Sequence, residues 1–151
     1  MTSFTPLHLR SRPRRTRQSA AIRALVCETR LSVDDLIWPI FLRDGEGIEE
    51  PVVSMPGVNR LSLDRAVEAA RRARDLGIPA MCLFPYTDPA KKSELCEEAW
   101  SPDNLSNRAI RAIKTAVPEV AIMTDIALDP YNINGHDGIV RDGKIVNDET
   151  V

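Results

Sequence analysis

Length, composition and charge narrow the class of protein to which this sequence belongs. The chain has 151 residues, of which 43% are hydrophobic and 28% charged, and these values are typical of one globular domain or of part of a larger one. No apolar run approaches the roughly 20 residues of a transmembrane helix, and the N-terminus lacks the apolar core of a secretory signal. We therefore expect no membrane partner.

The number and spacing of the cysteines indicate the cellular compartment of the protein. Cys27, Cys82 and Cys96 are odd in number and widely spaced, which does not indicate a disulfide framework. Reduced thiols are typical of the cytoplasm, and we predict a cytoplasmic protein.

Positive charge is concentrated at the N-terminus. Residues 1–30 carry a net charge of +6, and the remaining 121 residues sum to −8. Few apolar side chains accompany these arginines, so the segment cannot form its own core. Nucleic acid is disfavoured as a partner, because no aromatic residues interleave with the arginines and the rest of the chain is acidic. An acidic neighbouring subunit fits this composition better. The arginines concerned are Arg10, Arg12, Arg14, Arg15 and Arg17.

The first elements along the chain are a helix and a strand. A short helix is predicted over residues 18–28, with Ile22, Leu25 and Val26 on one side. Residues 36–42 are a continuous apolar run typical of a buried strand, although Pro39 cannot donate to a central ladder. The connection over residues 43–60 is long, which indicates a small hairpin or a functional insertion. We divide the chain into an N-terminal arm with its short helix, residues 1–30, and a second region, residues 31–151.

Two helix–strand units follow. Ser62 is the expected cap of the first helix and Gly77 its C′ residue, before a strand over residues 78–84. A polar loop over residues 85–104 precedes a second helix, for which Ser106 is the expected cap. Pro118 ends this helix, and a third buried strand is predicted over residues 120–126. The residues predicted to face the core are Leu63, Ala66, Val67, Ala70 and Ala73 on the first helix, and Ala109, Ile110, Ile113, Ala116 and Val117 on the second.

Strands joined through helices are expected to be parallel. The connection after each strand is long and each link from helix to strand is short, so the long loops lie at the carboxyl ends of the strands. That edge binds ligands in α/β barrels and doubly wound sheets. No Gly-x-Gly-x-x-Gly or Walker-type loop is present, which disfavours nucleotide-binding versions of such folds.

The end of the chain predicts the start of another helix. Residues 143–151 indicate a turn followed by a helix that Asn147 or Asp148 caps. Three parallel strands would leave two bare edges, so we expect residues 31–151 to be the incomplete first part of a larger domain.

Most of the candidate chemistry lies in the loop after the third predicted strand. This acidic loop, residues 125–138, contains Asp125, Asp129 and Asp137 together with Tyr131 and His136. An ordinary polar turn, shaped by residues such as Asn132 and Asn134, is one interpretation. Three carboxylates could instead hold Mg²⁺, act as a general base or bind a cationic amine. The cysteines lie far from the loop, so a thiolate zinc site is not available locally. The role of His136 stays open between ligand, acid or base, and exposed loop residue.

Several segments resemble one family, in the family's order along the chain. The residues TDIALDPY (124–131) and GHDG (135–138) are similar to the metal-site segment of the 5-aminolevulinate dehydratases, also called porphobilinogen synthases. Further similar segments are RR (14–15), LIWPIF (36–41), SMPGV (54–58), LFP (83–85), NRAIRAIK (107–114) and NDET (147–150).

The resemblance implies an α/β fold, a TIM-type (β/α)8 barrel, of which this chain holds an N-terminal arm and roughly the first three β/α units. It implies a lyase that condenses two 5-aminolevulinate molecules to porphobilinogen with loss of water, in tetrapyrrole and haem biosynthesis. It further implies a homo-oligomer, an octamer or a hexamer, assembled through the arm. The family's two Schiff-base lysines belong to the second half of its sequence, so we expect the fragment alone to be inactive. Lys91, Lys92, Lys114 and Lys144 match other segments.

The same resemblance assigns roles within the acidic loop. Zinc-using members have cysteines where this chain has Ala127, Asp129 and Asp137, so we expect no zinc, and either Mg²⁺ as an activating ion or no metal. Asp125 matches an active-site aspartate, and we assign it to orienting the substrate or assisting proton transfer. Asp129, Asp137 and Tyr131 are predicted to bind substrate or water.

Two other functions stay open. One is a Mg²⁺-dependent hydrolase on the same barrel, which would use the three aspartates of the loop. The other is an inactive assembly fragment, able only to associate with intact subunits.

Overall fold

Residues 10, 11 and 13–151 are described by a computed structural model, and the prediction for Arg12 lies outside these residues. The chain forms two compact units, one that ends at Leu31 and one over Ser32–Val151. The first contains helix α1, Ala20–Leu25, which the Ser19 side chain caps by accepting a hydrogen bond from the Ile22 amide. This helix is shorter than predicted, and Leu25 at its end is 81% exposed.

The second unit is built on a sheet in the order β2-β3-β1-β4-β5. Strands β1, β3, β4 and β5 are parallel, and β2 runs antiparallel to β3. The parallel arrangement predicted for strands joined through helices is confirmed. The strands are β1 (Ile37–Leu42), β2 (Glu49–Pro51), β3 (Asn59–Leu61), β4 (Ala80–Pro85) and β5 (Ala121–Thr124).

The long connection after β1 contains the predicted hairpin, formed by β2 and β3. Its pairing with β1 also explains how that strand accommodates a proline. Strand β1 pairs with β4 along its whole length but with β3 only at Phe41 and Leu42. Pro39 therefore lies where β1 has a neighbour on one side, and a missing N–H donor is tolerated there.

Two helices, α2 (Leu63–Asp75) and α3 (Leu105–Ala116), pack with the sheet around the core. Gly77 is the C′ residue of helix α2, as predicted: Gly77 has a φ of +78°, and the Ile78 amide donates to the Ala73 carbonyl at 2.9 Å. The predicted inward faces are confirmed, because Ile110, Ala116, Leu63 and Val67 are partly buried against this core and the others are buried within it. The buried set is Ala66, Ala70, Ala73, Ala109, Ile113 and Val117.

The predicted helix caps are only partly correct. Ser62 stands at the first position before α2, but its hydroxyl bonds to Ile48 and Asp64 instead of to the helix backbone. Ser106 is not the cap of α3, because it lies inside the first turn of that helix. Asn104 caps it, and its Oδ1 accepts a hydrogen bond from the Asn107 amide at 2.8 Å. An asparagine side chain serves at this position as well as a serine.

The third predicted strand is shorter and less buried than expected. Strand β5 ends at Thr124, and Ile126 is fully exposed. The prediction of a buried strand was wrong because β5 is the last strand of the sheet that the structure describes, with β4 on one side only.

The chain closes with a second hairpin and one helical turn. Strands β6 (Val140–Arg141) and β7 (Lys144–Ile145) are joined by Asp142 and Gly143, both with positive φ. The predicted turn is therefore confirmed. Helix α4, Asn147–Thr150, follows with Val146 at its cap position and no side-chain cap bond, so the predicted caps Asn147 and Asp148 are wrong. Within the described part of the chain, no helix has the length and apolar character needed to cross a membrane.

Candidate active site

The acidic loop begins at the carboxyl edge of the parallel sheet. Phe41 of β1 is paired with Phe84 of β4, and their ring centroids are 5.6 Å apart. Asp125 follows Thr124, the last residue of β5, which is paired with Leu83. The ends of three strands thus bring two aromatic rings and a carboxylate to one edge, as the sequence predicted for the long loops.

Two clefts lie against the acidic loop. The first has a volume of about 220 Å³ and is lined by Asp125, Asp129 and Tyr131 together with Phe41 and Phe84. The second, of about 190 Å³, also contains Asp125 and Tyr131 in its wall. Three of the predicted site residues are therefore brought together. Tyr131 is mostly buried and contributes to both clefts.

Asp137 and His136 have a different position from the other predicted residues. Neither lines these two clefts, and the His136 side chain is exposed. One carboxylate oxygen of Asp137 accepts hydrogen bonds from the amides of Leu128 at 2.8 Å and Asp129 at 3.1 Å. These bonds hold the pKa of Asp137 below its ordinary value. Asp137 therefore closes the loop on itself.

Electrostatic repulsion acts on Asp129. Its pKa is raised, first by burial and then by the negative charges of Asp137 and Asp125. The charge of Lys92 opposes this shift without cancelling it. A carboxylate in these surroundings gains from a proton or from a cationic group of a ligand.

Asp125 also influences the strand beside it. Burial, and after it the negative charge of Asp125, raises the pKa of the Cys82 thiol on β4. The thiol is thereby kept in its protonated form, which is a poor nucleophile. All three cysteines have free thiols.

Asn132 was interpreted from the sequence as a turn residue and is instead buried in the structure. Its side chain is fully enclosed and bonds to residues 94–96 as well as to its own loop. Local sequence held no signal of this, because the partners lie 36 and 38 residues earlier in the chain.

Arg60 and Tyr86 also line the first cleft, and neither was singled out from the sequence. The guanidinium carbon of Arg60 lies 4.6 Å from the centroid of the Tyr86 ring, a cation–π distance. Arg43 and Arg60 both form ion pairs with Glu50. Arg60 thus brings a guanidinium group, paired with Glu50, to a cleft that Asp125 and Asp129 also line.

The donors of the acidic loop do not fit a thiolate zinc site. Ala127 offers no ligand atom, and Asp129 and Asp137 offer hard oxygen atoms in place of sulfur. Among the described residues, no three side chains of the histidine, cysteine, aspartate and glutamate types form a group that could hold a metal ion.

Two of the lysines, Lys91 and Lys114, are engaged by other polar groups. Hydrogen bonding to Asp44 raises the pKa of Lys91, so this amine stays protonated. Lys114 is in the last turn of α3, and its ammonium donates to the carbonyls of Pro118 at 2.6 Å and Val120 at 3.0 Å.

Comparison with known families and proteins gives one consistent result. The model of a family described as delta-aminolevulinic acid dehydratase matches residues 10–151. The chain is 58% identical over 150 residues to the delta-aminolevulinic acid dehydratase of Rhodobacter capsulatus and 52% identical over 145 residues to that of Bradyrhizobium diazoefficiens. It covers 45% and 41% of the lengths of these two relatives, of which it spans less than half. A relative from Selaginella martensii, named as chloroplastic, is 48% identical.

A solved structure extends the comparison to the fold. The delta-aminolevulinic acid dehydratase of Toxoplasma gondii ME49, in complex with the reaction product porphobilinogen, superimposes with a TM-score of 0.86 at 46% identity. The match covers 95% of this chain and 41% of that one. The fold class expected from the sequence, an α/β barrel of the TIM type, is confirmed for this part of the barrel.

Proposed function

This chain belongs to the delta-aminolevulinic acid dehydratase family, and on that premise we propose that it serves in a porphobilinogen synthase. This lyase condenses two molecules of 5-aminolevulinate to porphobilinogen with loss of water, in haem and tetrapyrrole biosynthesis. The observation that carries the proposal is the family match itself, which includes all three aspartates of the acidic loop. The gathering of Asp125, Asp129 and Tyr131 in one cleft at the carboxyl edge of the sheet supports it.

Asp125 is assigned to orienting the substrate or assisting proton transfer. It follows β5 directly and lines both clefts, so a bound ketone or amine at the strand ends would meet its carboxylate. A carboxylate at such a position can accept a proton that the condensation releases.

Asp129 and Tyr131 are assigned to binding the substrate's amine or a water molecule. Burial, and after it repulsion from its acidic neighbours, disfavours the bare charge of Asp129, and an ammonium group would compensate that charge. The sequence also assigned substrate or water binding to Asp137. The bonds that Asp137 makes to the loop backbone support an indirect share in this binding, through the position of Asp129.

The carbon–nitrogen chemistry requires an amine that is partly neutral. Lys91 does not meet this requirement, because its hydrogen bond to Asp44 raises its pKa, and the Lys114 side chain is engaged by the Pro118 and Val120 carbonyls. The resemblance to the family assigns the Schiff-base lysines to the second half of its sequence, which this chain does not cover.

Borohydride reduction in the presence of 5-aminolevulinate tests the proposed function. In the protein at its natural length, borohydride should fix substrate covalently to a lysine, and the adduct is detected by mass spectrometry. A metal-dependent hydrolase, the alternative on this barrel, would not be labelled. The Asp125→Asn variant should retain labelling while the turnover number for porphobilinogen falls about 10²- to 10⁴-fold. Absence of labelling in the unaltered protein would exclude the proposal.

For metal dependence, we propose an enzyme without catalytic zinc, with Mg²⁺ as an activating ion or with no metal. The oxygen donors at positions 129 and 137 and the missing ligand at 127 support this. Elemental analysis of the purified protein should find no stoichiometric zinc, and chelators should not abolish turnover. A stoichiometric zinc whose removal stops the reaction would contradict it.

We also propose a homo-oligomer in which the N-terminal arm contacts a neighbouring subunit. The arginines of the arm and the exposed Leu25 of α1 support this role. Light scattering of the protein without residues 1–17 should show a smaller assembly, and an unchanged size would count against a role of the arm in assembly.

The free thiols support a cytoplasmic location, which cell fractionation would test.

A further inference from the structure

The acidic loop is attached to the loop after β4 at one point. The backbone of Tyr131 and Ile133 brackets Ser93: the Ser93 amide donates to the Tyr131 carbonyl, and the Ile133 amide donates to the Ser93 carbonyl, both at 3.1 Å. Between them, Ser93 and Asn132 form an isolated parallel bridge. The two loops that leave neighbouring strands β4 and β5 are therefore joined by backbone pairing just behind the first cleft.

The Asn132 side chain completes this attachment. Its Nδ2 donates to the Glu94 carbonyl at 3.3 Å, contacts the Cys96 sulfur at 3.4 Å and donates to the Gly138 carbonyl at 3.2 Å. Its Oδ1 accepts from the Asn134 amide at 2.7 Å. The Asn132 side chain is fully buried, and its contacts with the Cys96 sulfur and the Gly138 carbonyl form away from competing water.

The attachment determines the position of the acidic-loop residues that line the first cleft. Tyr131 and Asn132 both donate their amides to the Leu128 carbonyl at 2.9 Å, so the turn that carries Asp129 is tied to the position of Asn132. Asp137 holds the other side of the same turn through the amides of Leu128 and Asp129. Two side chains thus fix one turn, one from inside the protein and one from the exposed face.

We propose that Asn132 is a positioning residue, which acts by holding Asp129 and Tyr131 at the cleft through its bonds to residues 94–96 and Gly138. This inference rests on the proposed function and deepens it. Asn132 itself does not line either cleft and need not touch the substrate. Its effect on Asp129 is electrostatic: a turn released from residues 94–96 would expose that carboxylate further to water and move it away from its acidic neighbours.

The Asn132→Ala variant of the protein at its natural length tests this role. We expect kcat/KM for 5-aminolevulinate to fall at least about tenfold, because a misplaced binding group loses much of its contribution. The acid limb of the pH profile of kcat/KM should also move to lower pH, since the raised pKa of Asp129 relaxes toward its ordinary value. Asn132→Ser, whose hydroxyl can still accept from the Asn134 amide, should restore only part of the activity.

Two controls separate positioning from general destabilisation. Asn134→Ala makes the same change at an exposed residue of the same loop and leaves the Asn134 amide in place, so both readouts should stay as in the unaltered protein. Ile113→Val removes one buried methylene group from α3 and lowers the stability of the core without touching the loop. It should leave the pH profile unchanged.

The outcomes are distinct. An unchanged pH profile in Asn132→Ala, or an equal shift in Ile113→Val, would overturn the positioning role. If Asn132→Ala is too unstable to assay, Asn132→Ser is measured alone, and an unshifted acid limb there would likewise overturn it. Failure of borohydride labelling in the unaltered protein would instead exclude the proposed function. The attachment would then be measured by hydrogen exchange at the Ile133 amide, which donates to the Ser93 carbonyl and should exchange faster in Asn132→Ser but not in Asn134→Ala.

Discussion

The core between the sheet and its helices and the acidic loop at the sheet's edge are stabilised by different forces. Leu83, Ala70 and Ile113 are completely buried in the core, where apolar contact with many neighbours provides the stability. In the acidic loop, Ile126 is fully exposed, and the chain is held mainly by the polar side chains of Asn132 and Asp137. The scaffold therefore depends on buried volume, whereas the site depends on a few directed hydrogen bonds.

The largest effect is expected in the core. Leu83→Ala on β4 should lower the free energy of unfolding by about 2–5 kcal/mol, because the removed atoms leave a cavity between the strand and the helices. Urea denaturation of the variant and the unaltered protein measures this change in the free energy of unfolding. Leu95→Ala, at a half-exposed position in the loop after β4, is the matched control and should cost far less. Equal losses at both positions would contradict the division between a packed scaffold and a polar edge.

A smaller effect is expected at Asp44, which follows β1. Its carboxylate pairs with Arg108 of α3 and with Lys91 at 3.1 Å. Burial by itself would raise the pKa of Asp44, but these two partners outweigh burial and lower it. Asp44→Asn should therefore cost about 0.5–1 kcal/mol at neutral pH, as partly exposed pairs do.

The pH dependence of the Asp44 effect has a definite sign. Because the folded-state pKa is lowered, the stabilisation is present above the ordinary aspartate value and is lost as the pH falls through the lowered one. Thermal melts of both proteins should differ at pH 7 and converge in strong acid. A difference that grew on acidification would refute the assignment.

Within the acidic loop, Asp137→Ala should loosen the turn around Asp129. The amides of Leu128 and Asp129 lose their acceptor, and their hydrogen-exchange protection should fall while that of the core amides is retained. Since the pKa of Asp137 is lowered, the unaltered protein should lose the same protection only as the pH falls through that lowered pKa. Protection that persists in the alanine variant would show that another group closes the loop.

The smallest effect is expected at Asp129, and it has the opposite sign. Its raised pKa means that the charged form is disfavoured in the folded protein, and this cost appears as the pH rises through the ordinary aspartate value. Asp129→Asn should therefore stabilise the protein at pH 7 by a few tenths of a kcal/mol, as seen by a slightly higher Tm. The same variant should bind 5-aminolevulinate more weakly. A gain in stability without weaker binding would show that the substrate's amine binds to another group.

The elements that the sequence predicted well are those with local causes. The α2 and α3 faces follow from the spacing of their apolar residues, and the end of α2 follows from the positive φ of Gly77. The cap at Ser106 and the buried strand over residues 120–126 were wrong for a common reason. Both depend on the surroundings of the backbone in the folded chain. The local pattern does not decide that Asn104 caps α3 in place of Ser106. It also does not decide that β5 lies at an edge of the sheet.

For the candidate site, the sequence by itself determined the chemical groups and the family. Asp125, Asp129 and Tyr131 were identified from their place after a strand and from the resemblance, and the structure brings them to one cleft. Only the tertiary structure decided that Asp137 bonds to the loop backbone, and that Arg60 and Asn132 belong to the site or its support. Hydrogen bonds between residues nearly 40 positions apart arise when parallel strands bring their loops to one edge, and no local pattern of residues encodes them.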